Sequence, residues 1–491
     1  MGLDTSSNST HYRADVQGLR ALAVLLVVAY HAGLPLAGGY IGVDVFFVIS
    51  GYVIIRSLLN GWQLGRTRLV QFYLRRARRL LPAFVFTAST VIVLSVFFTT
   101  FDARTQAFET ARAGSLFAAN LQLMLFRANS YFTSTEQVNP LLHTWSLSLE
   151  EQIYLVIPVV LLAVWKIGRG NDPKTRKLMT TSISVMAAIS FLASFSFTYA
   201  RGVWPFAAES HLARGLEASR MIAFYSPFTR VWEFLAGALV AILGTRFRGL
   251  GGRLLFVTGF AAIVGTSLSI DAAAAFPGLI ALVPVAGTVA MILGTEWRIR
   301  GFSTLESRLS GWIGDRSYSI YLWHWPVIQF AKATFPESRW SSLFGAATSI
   351  PLAAAAYRYV EQPIRHSTAI SSRRWVGGLI VFAGATTLFG LASLRGIEPT
   401  PELRVHEDVT TKCVEKPFDV ILSKDECIWP LAGATRDALL VGDSQAGHIT
   451  EAFITAAHSS GLNARVVTRT GEFMSNPDRD YVADLIAQSP S

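Results

Sequence analysis

Arg20 and His31 stand eleven residues apart in the apolar stretch RALAVLLVVAYH. In a helix, eleven residues advance ~16.5 Å and return to within about 20° of the starting face. A guanidinium and an imidazole would then line one side of a helix, near its two ends. Ionisable groups in such a helix face the bundle interior or a water-filled cavity. An imidazole is also the side chain best suited to take a proton from a hydroxyl near neutral pH. The plainer alternatives are a snorkelling end anchor for Arg20 and a satisfied core histidine for His31.

Further groups share this mixture of charge and apolar surroundings. Asp44 lies within GGYIGVDVFFVISGY, either as a partner for His31 or as a carboxylate at a span end; Ser50 and Gly51 read as packing residues. In QFYLRRARRLLP, Arg75, Arg76, Arg78 and Arg79 either set topology or grip phosphate, which guanidinium groups bind in bidentate fashion. HTWSLSLEEQIYL places His143, Ser146 and Glu150 close together, with Glu151 beside them. Carboxylates also favour helix N-termini, which supplies a bland account of the two glutamates. Arg230 and Glu233 are three apart and so share a helix face. His324 lies between two tryptophans in YSIYLWHWP, a pattern that interfacial belts also produce.

The elements that must position these groups are membrane spans. The chain has 491 residues, 51% hydrophobic and 15% charged, where a soluble domain has about 25% charged. Apolar runs of the length that crosses ~30 Å of hydrocarbon recur at 18–36, 40–58, 83–100, 146–165, 179–199, 229–245, 254–270, 278–295, 317–334, 341–359 and 376–394. The arginines gather in alternate loops, which by the Lys/Arg bias puts the N-terminus in the cytoplasm. That placing accounts for the net charge of +10 without nucleic acid, which is excluded as a partner. The odd number of runs puts the C-terminus outside. Outer loops near 101–142 and 200–227 are long enough to cap the bundle from that side.

Beyond Gly396 the composition turns polar, and both cysteines, Cys413 and Cys427, fall there. Thiols confined to an oxidising compartment pair, and closing a loop of this length stabilises by ~3 kcal/mol in the chain-entropy model. DALLVGDSQAGHITEAF then reads as a buried strand over Ala438–Val441, a tight Gly-Asp-Ser turn and a helix from about Gln445; NARVVTRTG reads as a second strand. Ser444 on a strand-to-helix turn has an exposed hydroxyl and nearby backbone amides. A serine nucleophile also needs a base. No Asp-x-x-His follows Ser444, and His448 sits along the helix rather than around its end. The expectation is a domain cut short.

As a set, YRADVQGLRALAVLLVVAYH, GVDVFFVISGY, FYLRRARRLLP, HTWSLSLEEQIYL, RSYSIYLWHWP and YRYVEQPIR resemble the acyltransferase-3 family of membrane acyltransferases, in order over residues 12–365. The Gly-Asp-Ser segment resembles the SGNH-type hydrolase domain fused to one branch of that family. The implied architecture is an all-α polytopic bundle of about ten core transmembrane helices over 1–365 and a linking helix within 366–396. An extracytoplasmic linker at 397–434 and a partial α/β SGNH-like domain at 435–491 follow. The resemblance implies an O-acetyltransferase of the cell inner or plasma membrane, among membrane lipid. Acetyl-CoA would be the donor, no metal would be needed, and a surface glycan or lipid-linked glycan would be the acceptor. Arg20 and Arg75, Arg76, Arg78 and Arg79 would meet the coenzyme phosphates. His31 would handle the acyl group or the proton, Glu150 would belong to the same site, and Ser444 would carry the acetyl group outside. Asp44, His143, Ser146, Arg230, Glu233 and His324 would support them. Two other readings compete: an acceptor that is a small lipid or secondary metabolite, and a proton-coupled transporter with an outer binding module. A carrier has no need of an inner arginine cluster paired with an outer serine-hydrolase turn.

Overall fold

The computed structural model describes residues 14–65, 69–99, 101–126, 139–170, 172–199, 212–270, 274–294, 307–336, 338–366, 428–442 and 453–468. The chain forms two units, Met1–Thr387 and Leu388–Ser491.

The first unit is helical. Six of its described helices are long and apolar enough to cross a membrane, which makes the chain a multi-pass membrane protein. Each of the first ten expected runs coincides with a helix: α1 (Ala14–His31), α2 (Gly42–Gln63), α3 (Leu69–Phe98), α6 (Thr144–Ile167), α7 (Pro173–Tyr199), α9 (Pro227–Leu243), α10 (Gly249–Ser269), α11 (Leu282–Leu293), α12 (Arg308–Thr334) and α13 (Ser341–Ala356). The run at 376–394 lies outside the described residues. Leu155, Val159 and Leu192 are exposed on the outside of the bundle, as side chains in contact with lipid are.

Local chemistry sets the element ends. At α9 the Ser226 hydroxyl accepts from the Phe228 amide, Pro227 occupies the first turn, and Gly244 closes the helix in the left-handed conformation at φ 63, the usual pairing of start and stop residues. Side-chain size then sets the spacing between helices. A Cβ built on Gly237 would lie 1.9 Å from the Val48 carbonyl, and one on Gly51 would lie 1.9 Å from that of Phe234. Helices α2 and α9 therefore touch backbone to backbone, as small residues permit.

The stretch read as an outer cap behaves differently. It contains α4 (Phe101–Ser115) and α5 (Ala119–Phe126), and these pack into the bundle. Asn120 is buried and donates to the Gln152 side chain at 3.1 Å and to the Tyr225 carbonyl at 3.0 Å. The sequence ANLQLMLF is apolar enough for burial once its amide side chain is bonded. In the second long loop, α8 (Leu212–Tyr225) leads directly into α9.

The second unit holds a three-stranded sheet in the order β1-β3-β2. Strands β2 (Asp437–Gly442) and β3 (Asn463–Thr468) pair in parallel from Asp437↔Asn463 to Gly442↔Thr468, in agreement with the two expected strands. The helix over 453–459 lies between them in sequence, and its Ile454 and Ala457 pack with Ala464. Strand β1 (Ile428–Trp429) adds antiparallel to β3, from within the stretch read as linker.

Candidate active site

The bundle encloses a cavity of about 240 Å³. Helix periodicity orders its wall. Along α12 successive turns present Asp315, Tyr318 and Tyr321 to the cavity, and His324 comes one turn further on. Antiparallel to this, α6 presents Tyr154, Glu150 and Ser146, then His143. Nine residues of α12 span ~13.5 Å, so the cavity has an arginine end and a histidine end.

At the arginine end stand Arg20 of α1, Arg79 of α3 and Arg365 of α14 (Gln362–His366), with Asp315 as a carboxylate among them. Arg20 donates to the Gln17 side chain at 3.4 Å. The Arg79 Nε has no hydrogen-bond partner among the described residues. Tyr318 donates to the Leu80 carbonyl at 2.9 Å and thereby ties α12 to α3. The other arginines of the cluster do different things. Arg75 is exposed and is no part of the cavity wall; Arg78 is half-buried and likewise off the wall. Arg76 lines the cavity, but its guanidinium forks onto Glu151, with Nη2–Oε1 at 2.8 Å and Nε–Oε2 at 3.2 Å. It also lies 3.2 Å over the Tyr154 ring. This is a bidentate pair that leaves the guanidinium little capacity for phosphate.

Midway, the Glu150 carboxylate accepts from both Ser50 and Tyr154. The adjacent glutamates thus divide: Glu150 faces the cavity and Glu151 holds Arg76. Helix α6 begins at Thr144, so neither belongs to the first turn, and helix-terminus electrostatics is not what places them.

At the histidine end, the Tyr321 and Ser146 hydroxyls are 2.7 Å apart, and Tyr321 donates to the His143 carbonyl at 3.2 Å. Behind them three imidazoles meet, all at least nine-tenths buried. His31 Nδ1 is 3.0 Å from His324 Nε2, and His324 Nδ1 is 2.7 Å from the Tyr321 carbonyl. The His143 ring sits 5.5 Å from that of His324, and neither of its nitrogens has a hydrogen-bond partner among the described residues. Trp325 packs edge-on against His31 at 4.5 Å and donates to the Asn139 carbonyl at 2.9 Å.

Asp44 pairs with neither His31 nor solvent. Its carboxylate is 3.1 Å from Arg230 Nη2, and Arg230 Nε is 3.1 Å from Glu233. All three are fully buried, with Arg230 5.5 Å over the Phe47 ring. Since Phe47 also lines the cavity, this triad backs the wall and is set off from the histidines. Ser444, Cys413 and Cys427 lie outside the described residues. Among the described residues no group of three His, Cys, Asp or Glu side chains is arranged to hold a metal ion.

Several wall residues escaped the reading of the sequence. Tyr321 precedes His324 by three and Tyr154 follows Glu150 by four, so helical spacing from the named residues would have found both. Arg365 closes the motif YRYVEQPIR, which by itself does not point to the cavity, and Asp315 carries no local signal, because their relevance comes from distant elements.

Residues 13–358 match a family model described as an acyltransferase domain. The chain is 31% identical over 374 residues to a peptidoglycan O-acetyltransferase, OatA, of Listeria monocytogenes, covering 74% of this chain and 57% of the relative. It is 26% identical over 381 residues to an O-acetyltransferase, OatA, of Staphylococcus aureus (strain NCTC 8325 / PS 47), covering 73% of this chain and 58% of the relative. The chain thus spans somewhat over half the length of these relatives. No solved structure matches.

Proposed function

The chain belongs to the acyltransferase-3 family, and we propose that it moves an acetyl group from acetyl-CoA to a hydroxyl of a surface glycan, within the membrane. The observation that carries this reading is the graded cavity: cationic at Arg20, Arg79 and Arg365, polar at Glu150, and ending on Tyr321 and Ser146 against the buried histidines. Coenzyme phosphates suit the arginine end, since guanidinium groups bind phosphate oxygens through paired N–H donors. Acyl transfer to a hydroxyl needs a proton acceptor, and His31 is the assigned base. The acceptor O–H gives its proton to His31 as the oxygen bonds to the acetyl carbon. The C–S bond then breaks, and the sulfur leaves with that proton. Glu150, held by Ser50 and Tyr154, places a carboxyl group between the two ends. The acceptor class follows the Listeria relative, whose name specifies peptidoglycan. The acyl-carrier role that the SGNH resemblance implies for Ser444 also needs a base, and the transfer described here does not pass through it.

The test is glycan acetylation in cells expressing the wild-type chain, His31→Ala, or no copy, at matched membrane abundance. Acetylated glycan is expected only with the wild type. Equal acetylation in all three would refute the reading.

A further inference from the structure

We infer that His324 is a positioning residue that holds His31 in its Nδ1–H form, which makes Nε2 the nitrogen that takes the proton. The inference rests on His31 being the base, as proposed above. It follows from the acceptors alone. His324 Nδ1 faces two oxygens, the Tyr321 carbonyl at 2.7 Å and the Ile320 carbonyl at 3.2 Å. Carbonyl oxygens only accept, so His324 Nδ1 must carry the hydrogen. A neutral imidazole protonated on Nδ1 has its lone pair on Nε2. That Nε2 is 3.0 Å from His31 Nδ1, so the hydrogen between them belongs to His31.

Ring geometry supports a bond in the plane of both imidazoles. The centroids are 5.2 Å apart with planes only 21° from parallel. That is too far for face-to-face stacking at a shared nitrogen contact of 3.0 Å, and it fits two rings meeting edge to edge. The neighbours then fix the ring. Trp325 stands edge-on at 4.5 Å, itself tethered by its N–H to Asn139, and the ring of Tyr30, the preceding residue of α1, is 5.1 Å away.

The arrangement follows the general logic of an oriented base, in which a third group selects the tautomer of the imidazole that works. Here the third group is a second imidazole anchored to a helix carbonyl. In the proposed reaction the acceptor proton arrives at His31 Nε2 while Nδ1–H stays bonded to His324. The same Nε2 proton then passes to the departing sulfur, and no further proton source is required. Tyr321 links the relay to the cavity, since its carbonyl holds His324 and its ring lines the wall.

The experiment uses the full chain in nanodiscs with ¹⁵N-labelled histidine, observed at neutral pH. Comparison with His31→Gln assigns the His31 resonances. In the wild type, His31 is expected to show a protonated Nδ1 and an unprotonated Nε2. In His324→Leu that preference should be lost, and kcat should fall by roughly 10²–10⁴-fold, the scale seen when an orienting group is removed from a base, with KM for acetyl-CoA unchanged. His324→Gln can still donate to the Tyr321 carbonyl and accept from His31, so it should retain the tautomer and most of kcat. An Nε2–H tautomer of His31 in the wild type would overturn the positioning role. So would an unchanged Nδ1–H tautomer and kcat in His324→Leu. Wild-type turnover in His31→Ala would instead overturn the base assignment beneath it, whatever the tautomer.

Discussion

Gly237→Ala tests whether α2 and α9 are held backbone to backbone. The added methyl would lie 1.9 Å from the Val48 carbonyl and 2.9 Å from the Tyr52 amide nitrogen. Both are main-chain atoms, so no side-chain rotation relieves the clash. The helices must separate locally by about 1 Å or more to restore ordinary contact. A shift of that size stretches the Arg230–Asp44 contact, now 3.1 Å, beyond hydrogen-bonding range. Overpacking costs about 1–3 kcal/mol, and losing a charge-assisted bond costs ~1.5–3 kcal/mol. Together they predict a loss of roughly 2.5–6 kcal/mol. The assay is apparent Tm in detergent, followed by the aggregation-free fraction on size exclusion. Gly265→Ala is the matched control, because nothing lies within 4 Å of its Cβ and alanine is the better helix former by ~1 kcal/mol. A fall of order 5–10 °C is expected for Gly237→Ala, with no fall for the control. Equal melting of the two variants would show that the close approach is not made. The coupling of Asp44 to Arg230 would then need another explanation.

Arg79→Ala should weaken acetyl-CoA binding by roughly 10–150-fold, the equivalent of one charge-assisted contact, while Arg75→Ala should leave it unchanged because Arg75 is off the cavity wall; calorimetric titration that finds equal losses would refute the arginine-end assignment. Arg76→Met should destabilise the bundle by about 3 kcal/mol by leaving Glu151 unpaired, and adding Glu151→Leu should recover most of it. No recovery in the double variant would mean that the pair is not what Arg76 contributes. Cys413 and Cys427 should resist alkylation until reduced in protein isolated from an oxidising compartment; full labelling before reduction would remove the disulfide and argue against an outer location for that segment.

The sequence by itself determined the class of the molecule. Apolar runs at 18–36, 40–58 and the eight that follow through 341–359 coincide with helices, and six described helices are long and apolar enough to cross a membrane, where a chain must satisfy its backbone internally. Expected strand Ala438–Val441 falls within β2 for a different, local reason, a short apolar run bounded by turn residues. Arg20 and His31 stand out by their spacing in an apolar run, Arg79 by its basic cluster and Glu150 by its polar neighbours; Arg20, Arg79 and Glu150 line the cavity and His31 lies beside it. Partnership was not legible. The sequence offers Asp44 either as a partner for His31 or as a span-end carboxylate, yet it pairs with Arg230, 186 residues away. The four arginines of QFYLRRARRLLP look alike in sequence, but helical rotation turns Arg79 to the cavity, Arg76 to Glu151 and Arg75 outward. His324 was weak evidence between two tryptophans until packing brought it to His31 from a distance of 293 residues. Periodicity and hydropathy are properties of a segment and survive when it is read alone. A hydrogen bond between α1 and α12 depends on how two helices rotate and slide against each other, and only their packing in three dimensions decides that.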